Sequence, residues 1–188
     1  MSGIVIIGAG QAGSSLAIKL RALGYQGTVT LIGEEPYAPY QRPPLSKTYL
    51  LGEMALERLY LRPEEVYRDQ NIELRPGTQV TAIDPVAQVI SLGAETLSYD
   101  QLALTTGSTP RLLPEAIGGR LQNVFAVRGL ADVDAMRPAF ERGGHVLIIG
   151  GGYIGLEAAA VAAKRGLKVT LVEMADRILQ RVACAETS

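Results

Sequence analysis

The sequence predicts an α/β chain in which parallel strands alternate with helices, and two matching stretches carry the prediction. Residues 4–13 read IVIIGAGQAG and residues 146–155 read VLIIGGGYIG, each an apolar strand running into a glycine-rich turn. Each then continues through an Ala/Leu-rich helical run, a glycine exit and a second apolar strand: SSLAIKLRALGYQGTVTLIGEE over 14–35 and LEAAAVAAKRGLKVTLVEMA over 156–175. A βαβ pattern written twice predicts two Rossmann-like units in tandem.

The elements follow in order. The run IVII is a buried strand; four apolar residues before a glycine, with no basic segment ahead of them, do not make a signal peptide. Residues 36–65 begin irregular and dense in proline, PYAPYQRPPLSKTYLLGE, and MALERLYLRPEEVYRDQ predicts short helices. IELR at 72–75, then TQVTAIDPVAQVISL and TLSYDQLALTTG, read as short strands of a small β-meander that feeds back into the first sheet. LALTTGSTPR is an apolar strand that breaks at Thr105-Thr106-Gly107 and is placed to close that sheet. A looser connection over 108–123 leads to VFAVRGLADVDAMRPAFERG, expected to give a short strand and a helix that starts or bends at Pro138. His145 reads as a surface loop residue and Cys184 as incidental. Residues 1–35 plus 102–107 supply fewer parallel strands than an open doubly wound sheet carries, so the chain reads as the N-terminal part of a longer protein.

Composition excludes several functions. With 18 Lys and Arg against 19 Asp and Glu, and a net charge of -1, there is no electrostatic case for a nucleic-acid surface. One cysteine cannot make a CxxC redox pair or a cysteine-only metal site, and one histidine adds little metal-binding capacity. No apolar run reaches the length of a membrane-spanning helix. The expected setting is the cytoplasm, with no metal, nucleic acid or membrane as partner.

The glycines point to dinucleotides. Gly8, Gly10 and Gly13 in one unit and Gly150, Gly152 and Gly155 in the other share the spacing GxGxxG. The first permits the turn off the strand, the second lets backbone approach a pyrophosphate, and the third lets the helix pack against the sheet. The helix N-terminus then receives the phosphate charge. Either motif alone is weak; both occur in the strand–turn–helix context that the chemistry needs. Glu173 ends the strand KVTLVE, where an acid accepts hydrogen bonds from a ribose 2′-hydroxyl and repels a 2′-phosphate, which predicts NADH over NADPH. In the first unit the aligned position is Gly33, and the displaced Glu34 is the candidate ribose ligand.

Taken together, IVIIGAGQAG, YQRPPLSKTYL, LALTTGSTPR and VLIIGGGYIGLEAAA resemble the flavoproteins of the pyridine nucleotide-disulfide oxidoreductase type. Within them the resemblance is to the FAD-dependent, NADH-using reductases of ferredoxins and rubredoxins. It implies a Rossmann-like FAD-binding domain with a β-meander excursion over 1–110 and a connection over 111–122. The first half of an NAD(H)-binding domain follows over 123–188. It assigns Gly8, Gly10, Ala12 and Gly13 to the FAD pyrophosphate, and Arg42, Pro44 and Lys47 to the isoalloxazine ring. Val80 goes to the adenine side, Thr106 and Gly107 to the FAD side, and Gly150, Gly152 and Gly155 to NADH. Glu157 falls near the nicotinamide, where a Lys47–Glu157 pair is expected to tune the flavin.

The implied reaction passes a hydride from NADH to FAD. Single electrons then go to a separate [2Fe-2S] ferredoxin, or a rubredoxin, that serves an oxygenase such as a cytochrome P450 or a ring-hydroxylating enzyme. The dithiol chemistry of the wider family is excluded by the lone Cys184. Three alternatives make other demands. An NADH oxidase-like or peroxide-reducing relative would favour a cysteine near RPPLSK, a plain dehydrogenase would not need two units, and a non-catalytic interaction module would not bind FAD.

Overall fold

The computed structural model describes residues 3–188, which divide into two compact units, one made of residues up to 41 and 59–108, the other of 42–58 and 109–188.

The first unit is built on a parallel sheet. Strand β1 (Ile4–Ile7) leads into α1 (Gln11–Ala22) and β2 (Val29–Ile32). After α2 (Glu64–Asp69) come β3 (Ile72–Arg75), β4 (Ala82–Asp84), β5 (Val89–Leu92), β6 (Glu95–Ser98) and β7 (Gln101–Leu104). The sheet order is β3-β2-β1-β7, with Ile4 opposite Val29 on one side and Gln101 on the other. Strand β3 therefore corrects the reading of IELR as meander: it pairs parallel with β2, Val29 opposite Ile72. The crossover through α2 explains this, because a strand that follows a helix can return parallel to its predecessor, which a tight hairpin cannot do. The parallel sheet accordingly has one more strand than the sequence count allowed.

Alternation along the strands feeds two cores. Ile6, Leu31, Val29 and Ile72 pack with Ala17 of α1 and Tyr67 of α2. Val5, Ile7 and Ile32 pack with Ile90 of β5 and Tyr99, so the antiparallel meander β4-β5-β6 covers the opposite face. Both faces being covered accounts for the unbroken apolar run of β1 and for the burial of every residue of β2. Each such side chain contributes about 1.5–3 kcal/mol on burial. Tyr67 also closes a buried hydrogen bond with Ser14 Oγ at 2.7 Å, tying α2 to the first turn of α1.

The second unit contains α3 (Leu130–Arg142), β8 (His145–Ile149), α4 (Tyr153–Lys164) and β9 (Lys168–Val172). Strands β8 and β9 pair parallel, Val146 opposite Val169. Helix α3 begins eight positions before the proline expected to start or bend it, and runs through Pro138. Its N-terminus is fixed by Asp132, whose Oδ2 accepts the amides of Gly129 at 2.8 Å and Arg128 at 3.0 Å. Burial of Leu130, Val133, Met136 and Phe140 along the helix offsets the amide that proline withholds. No strand forms at 124–127, contrary to expectation; the sheet of the second unit consists of β8 and β9, and among the described residues no neighbouring strand pairs that segment. His145 is the first residue of β8 rather than a loop residue, and its Nε2 lies 2.8 Å from Thr170 Oγ1 on β9. Among the described residues no helix is long and apolar enough to cross a membrane.

The Pro-rich excursion packs within this second unit. Pro44 O accepts the amides of both Lys47 and Tyr49, each at 3.0 Å, which makes one wide turn over Leu45–Tyr49. Side chains of the second unit pin the turn. Arg42 donates to Arg128 O at 2.8 Å, and Tyr49 donates to Asp134 Oδ1 at 2.9 Å. Arg137 stacks 4.5 Å above the Tyr49 ring, and Arg165 donates to Leu51 O at 2.6 Å. Burial raises the Tyr49 phenol above its ordinary pKa, and the bond to the Asp134 carboxylate adds to the shift.

Candidate functional site

The two glycine turns have one geometry. Gly8 leaves β1 at φ +113° and Gly150 leaves β8 at φ +110°, values that side-chain-bearing residues rarely adopt. A Cβ on Gly13 would lie 2.1 Å from Gly8 O, and one on Gly155 would lie 2.1 Å from Gly150 O. The third glycine of each motif is therefore set by contact between helix and turn. Around Gly10 and Gly152 an added Cβ would meet nothing within 4 Å, so the backbone there is open to approach. Both are helix N-caps in extended conformation, no side chain caps either helix, and neither first turn carries an acid. A bare, open N-terminus after a glycine turn is the arrangement that a pyrophosphate fits. The residues present thus suit two dinucleotides, one in each unit.

The walls differ. Thr105, at the end of β7, donates from Oγ1 to Gly8 O at 2.8 Å, and its amide donates to Ile7 O at 2.8 Å. A Cβ on Gly8 would strike Thr105 O at 2.2 Å, whereas one on Gly150 would meet nothing. Sequence reasoning named Thr106 and Gly107 in this stretch. Both are exposed, Gly107 sits at φ +71°, and the backbone of Thr106 borders Gly8, while Thr105 makes the side-chain hydrogen bond to the turn. The signal available was a hydroxyl residue at the exit of a strand adjoining β1.

The acids also differ, for a steric reason. Glu173 folds back over the second turn: Oε2 accepts the Gly151 amide at 2.6 Å and Oε1 the Ala175 amide at 2.8 Å. These bonds, from Ala175 and then Gly151, hold its carboxyl below the usual range. At the aligned place in the first unit, a Cβ on Gly33 would lie 2.6 Å from the Cβ of Ala9. Ala9 replaces Gly151 there, and its methyl takes the space that an acid at 33 would need. The acid is displaced to Glu34, which is exposed and 3.4 Å from Gln79 Nε2.

The second unit also assembles a charged cluster. Lys47 Nζ lies 2.9 Å from Glu157 Oε1, with side chains 48% and 27% exposed. Glu157 stands in the second turn of α4, the helix that starts at the Gly150–Gly155 turn. Its other oxygen, Oε2, accepts the hydroxyl of Ser46 at 2.5 Å. Burial pushes the Glu157 carboxyl up, but the bonds from Ser46 and Lys47 and the lysine charge outweigh it and leave the carboxyl below its ordinary value. The expected Lys47–Glu157 pair is therefore formed. Ser46 was not anticipated, since a serine between leucine and lysine carries no signal in sequence.

The remaining candidates are distributed as follows. Ala12 is exposed on the first turn of α1. Val80 precedes β4 and packs against the core of Val5, Ile7, Ile32, Ile90 and Tyr99. Arg42, Pro44 and Lys47 belong to the second unit, and Gly8, Gly10, Gly13, Glu34, Val80, Thr106 and Gly107 to the first.

Comparison with known proteins agrees with this geometry. The profile of the pyridine nucleotide-disulphide oxidoreductase family matches residues 2–188. The chain is 45% identical over 188 residues to putidaredoxin reductase of Pseudomonas putida, covering 98% of this chain and 44% of that protein. It superposes on the crystal structure of a covalent putidaredoxin reductase–putidaredoxin complex with TM-score 0.91 at 44% identity, covering 97% of this chain and 45% of that one. For a ferredoxin reductase from Rhodopseudomonas palustris the values are TM-score 0.93 and 39% identity, covering 100% of this chain and 46% of the other. The chain thus spans a little under half the length of these relatives.

Proposed function

The chain belongs to the pyridine nucleotide-disulphide oxidoreductase family, and from that premise we propose that it is the dinucleotide-binding part of an FAD-dependent NADH:ferredoxin reductase. The observation that carries the reading is the pair of glycine turns of one geometry, each open at its middle glycine and each starting an uncapped helix. Two dinucleotides in one chain fit a flavin enzyme that takes electrons from a pyridine nucleotide. The names of the similar proteins, a putidaredoxin reductase and a ferredoxin reductase, support an iron–sulfur protein as acceptor, either a [2Fe-2S] ferredoxin or a rubredoxin, that serves an oxygenase. The cytoplasm is the proposed location.

In this reading Gly8, Gly10, Ala12, Gly13 and Glu34 hold FAD, with Val80, Thr106 and Gly107 on its flank. Gly150, Gly152, Gly155 and Glu173 hold NADH. Bound FAD would supply the conversion of a two-electron reductant into single electrons. The protein's own residues orient and select. The helix N-termini draw the pyrophosphates. The Glu173 carboxylate, kept ionised by backbone amides, accepts ribose hydroxyls and disfavours a 2′-phosphate. Arg42, Pro44 and Lys47 are the residues proposed to bear on the flavin ring, with Glu157 fixing the lysine ammonium.

The test is spectroscopic. The purified chain, given FAD, should retain a flavin absorbance band that NADH bleaches in the absence of oxygen, with NADPH much less effective. A colourless protein that takes up no added FAD would overturn the reading for this chain.

A further inference from the structure

Ser46 and Lys47 are consecutive residues of one turn, and they grip the two oxygens of a single carboxylate. Lys47 Nζ holds Glu157 Oε1 at 2.9 Å, and Ser46 Oγ holds Oε2 at 2.5 Å. Ser46 is 5% exposed, so water has little access to its hydroxyl, and a buried hydroxyl without a partner is costly. A serine hydroxyl has one proton to donate, and here it is given to the carboxylate. Glu157 stands on the helix that begins at the second glycine turn, while the grip comes from the excursion that carries Arg42 and Pro44. The far end of the same helix is tied to the same excursion, by Lys164 Nζ to Glu53 Oε1 at 2.6 Å and by Arg165 to Leu51 O at 2.6 Å.

From this we infer that Ser46 is a positioning residue for Glu157: its hydroxyl fixes the carboxylate plane, so that the oxygen facing Lys47 is held in place and the turn is latched to the helix that starts at the second glycine motif. A lysine alone would leave the carboxylate free to rotate about its last bond. With both oxygens held, the ammonium of Lys47 has a fixed counter-charge rather than a mobile one. The inference deepens the proposed function and rests on it only for its consequence at the flavin; the latch itself is a property of this chain.

The titratable groups on the elements packed against α4 are Lys47 and Tyr49 in the turn, His145 on β8 and Lys168 at the start of β9, with Glu173 just beyond the end of β9. Of these, Lys47 is the one that acts on Glu157. The hydroxyl donor favours the ionised carboxylate, as a bond to the charged form does. Removing it should therefore raise the pH at which Glu157 takes up a proton.

The experiment is a ¹³C NMR titration of glutamate carboxyls in the 188-residue chain, with Glu157→Gln identifying the resonance. Ser46→Ala should shift the Glu157 midpoint upward, and Ser46→Thr, which keeps a hydroxyl, should restore it. An unchanged midpoint in Ser46→Ala would overturn the inference. So would an upward shift of the same size in Ser46→Thr, which would assign the effect to packing. Should Ser46→Ala not fold, Ser46→Cys, with a similar volume and a weaker donor, gives the reading: a raised midpoint supports the latch and a wild-type midpoint overturns it. The titration uses no cofactor. A failure to bind FAD would therefore leave the latch standing, and a failed titration would leave the flavin reading untouched.

Discussion

The two glycine turns share their backbone geometry where the motif dictates and part where the surroundings do. In both, the third glycine is forced by a carbonyl oxygen 2.1 Å from where a Cβ would be. In both, the first glycine sits near φ +110°. Yet β1 runs between two strands and is buried, with Ile6 inaccessible, while β8 has one partner among the described residues and leaves Leu147 and Ile149 each 59% exposed. The strand on the far side of β1 supplies Thr105, which presses on Gly8 and bonds its oxygen. The second turn has Glu173 folded over it instead. A motif specifies the turn and the helix start; the neighbouring chain decides what closes it.

The largest expected effect separates the first glycines. Gly8→Ala combines a left-handed backbone with a methyl 2.2 Å from Thr105 O, and should cost about 3 kcal/mol or more from strain and overpacking together. Gly150→Ala has the same backbone but open space, and should cost about 1–2 kcal/mol. Urea denaturation of both variants reads the difference. Equal losses would mean that Thr105 does not wall the first turn.

Next comes the exchange of acids. Gly33→Glu should cost about 1–3 kcal/mol, because its Cβ would collide with the methyl of Ala9. Ala9→Gly should return most of it, giving a clear coupling in a double-mutant cycle. The double variant reproduces the Gly151–Glu173 arrangement in the first unit. Independent, additive losses would refute the steric account of why the first acid is displaced.

This pair shows what was legible in the sequence. Spacing revealed both βαβ units, because the glycines answer to local backbone geometry and leave their mark at fixed intervals. The place of Glu34 was readable as a shift by one position, but its cause was not, since Ala9 and Gly33 meet only once β1 and β2 pair. Strand β3 was misread for a like reason: IELR has the alternation of any short strand, and only the crossover through α2 makes it parallel. Helix α3 runs past Pro138 because Leu130, Val133, Met136 and Phe140 are buried along it, packing that a local breaker signal does not reveal. Lys47 and Glu157 were visible through the family pattern. Ser46 and Thr105 act through hydroxyls whose partners lie far away in sequence, and nothing local announces them.

A smaller effect tests the wall from its other side. Thr105→Val keeps the shape and removes the hydroxyl that donates to Gly8 O. The loss should be about 1 kcal/mol, the net value of one hydrogen bond. The same variant should relieve Gly8→Ala little, because the colliding atom there is the Thr105 backbone oxygen rather than its side chain. A full rescue of Gly8→Ala by Thr105→Val would show that the side chain, and not the strand, closes the turn.

The smallest expected effect concerns the acids that do not cap a turn. Lys47 and Glu157 are 48% and 27% exposed, so solvent screens their attraction, and Glu157→Gln should destabilise the second unit by less than about 1 kcal/mol at neutral pH. The pH dependence gives the sign. The folded carboxyl lies below the ordinary 4.5, so the folded state binds the proton less readily than the unfolded chain does. The stabilisation is therefore fully present above 4.5 and is lost as pH falls through the lower folded value. The wild type and Glu157→Gln should converge in that acidic window. In the first unit, Glu34→Gln disturbs one exposed contact of 3.4 Å to Gln79, and should stay within about 0.5 kcal/mol of wild type. A gap between wild type and Glu157→Gln that persists unchanged into acid would mean the loss comes from packing of the glutamine amide and not from the charge held by Ser46 and Lys47.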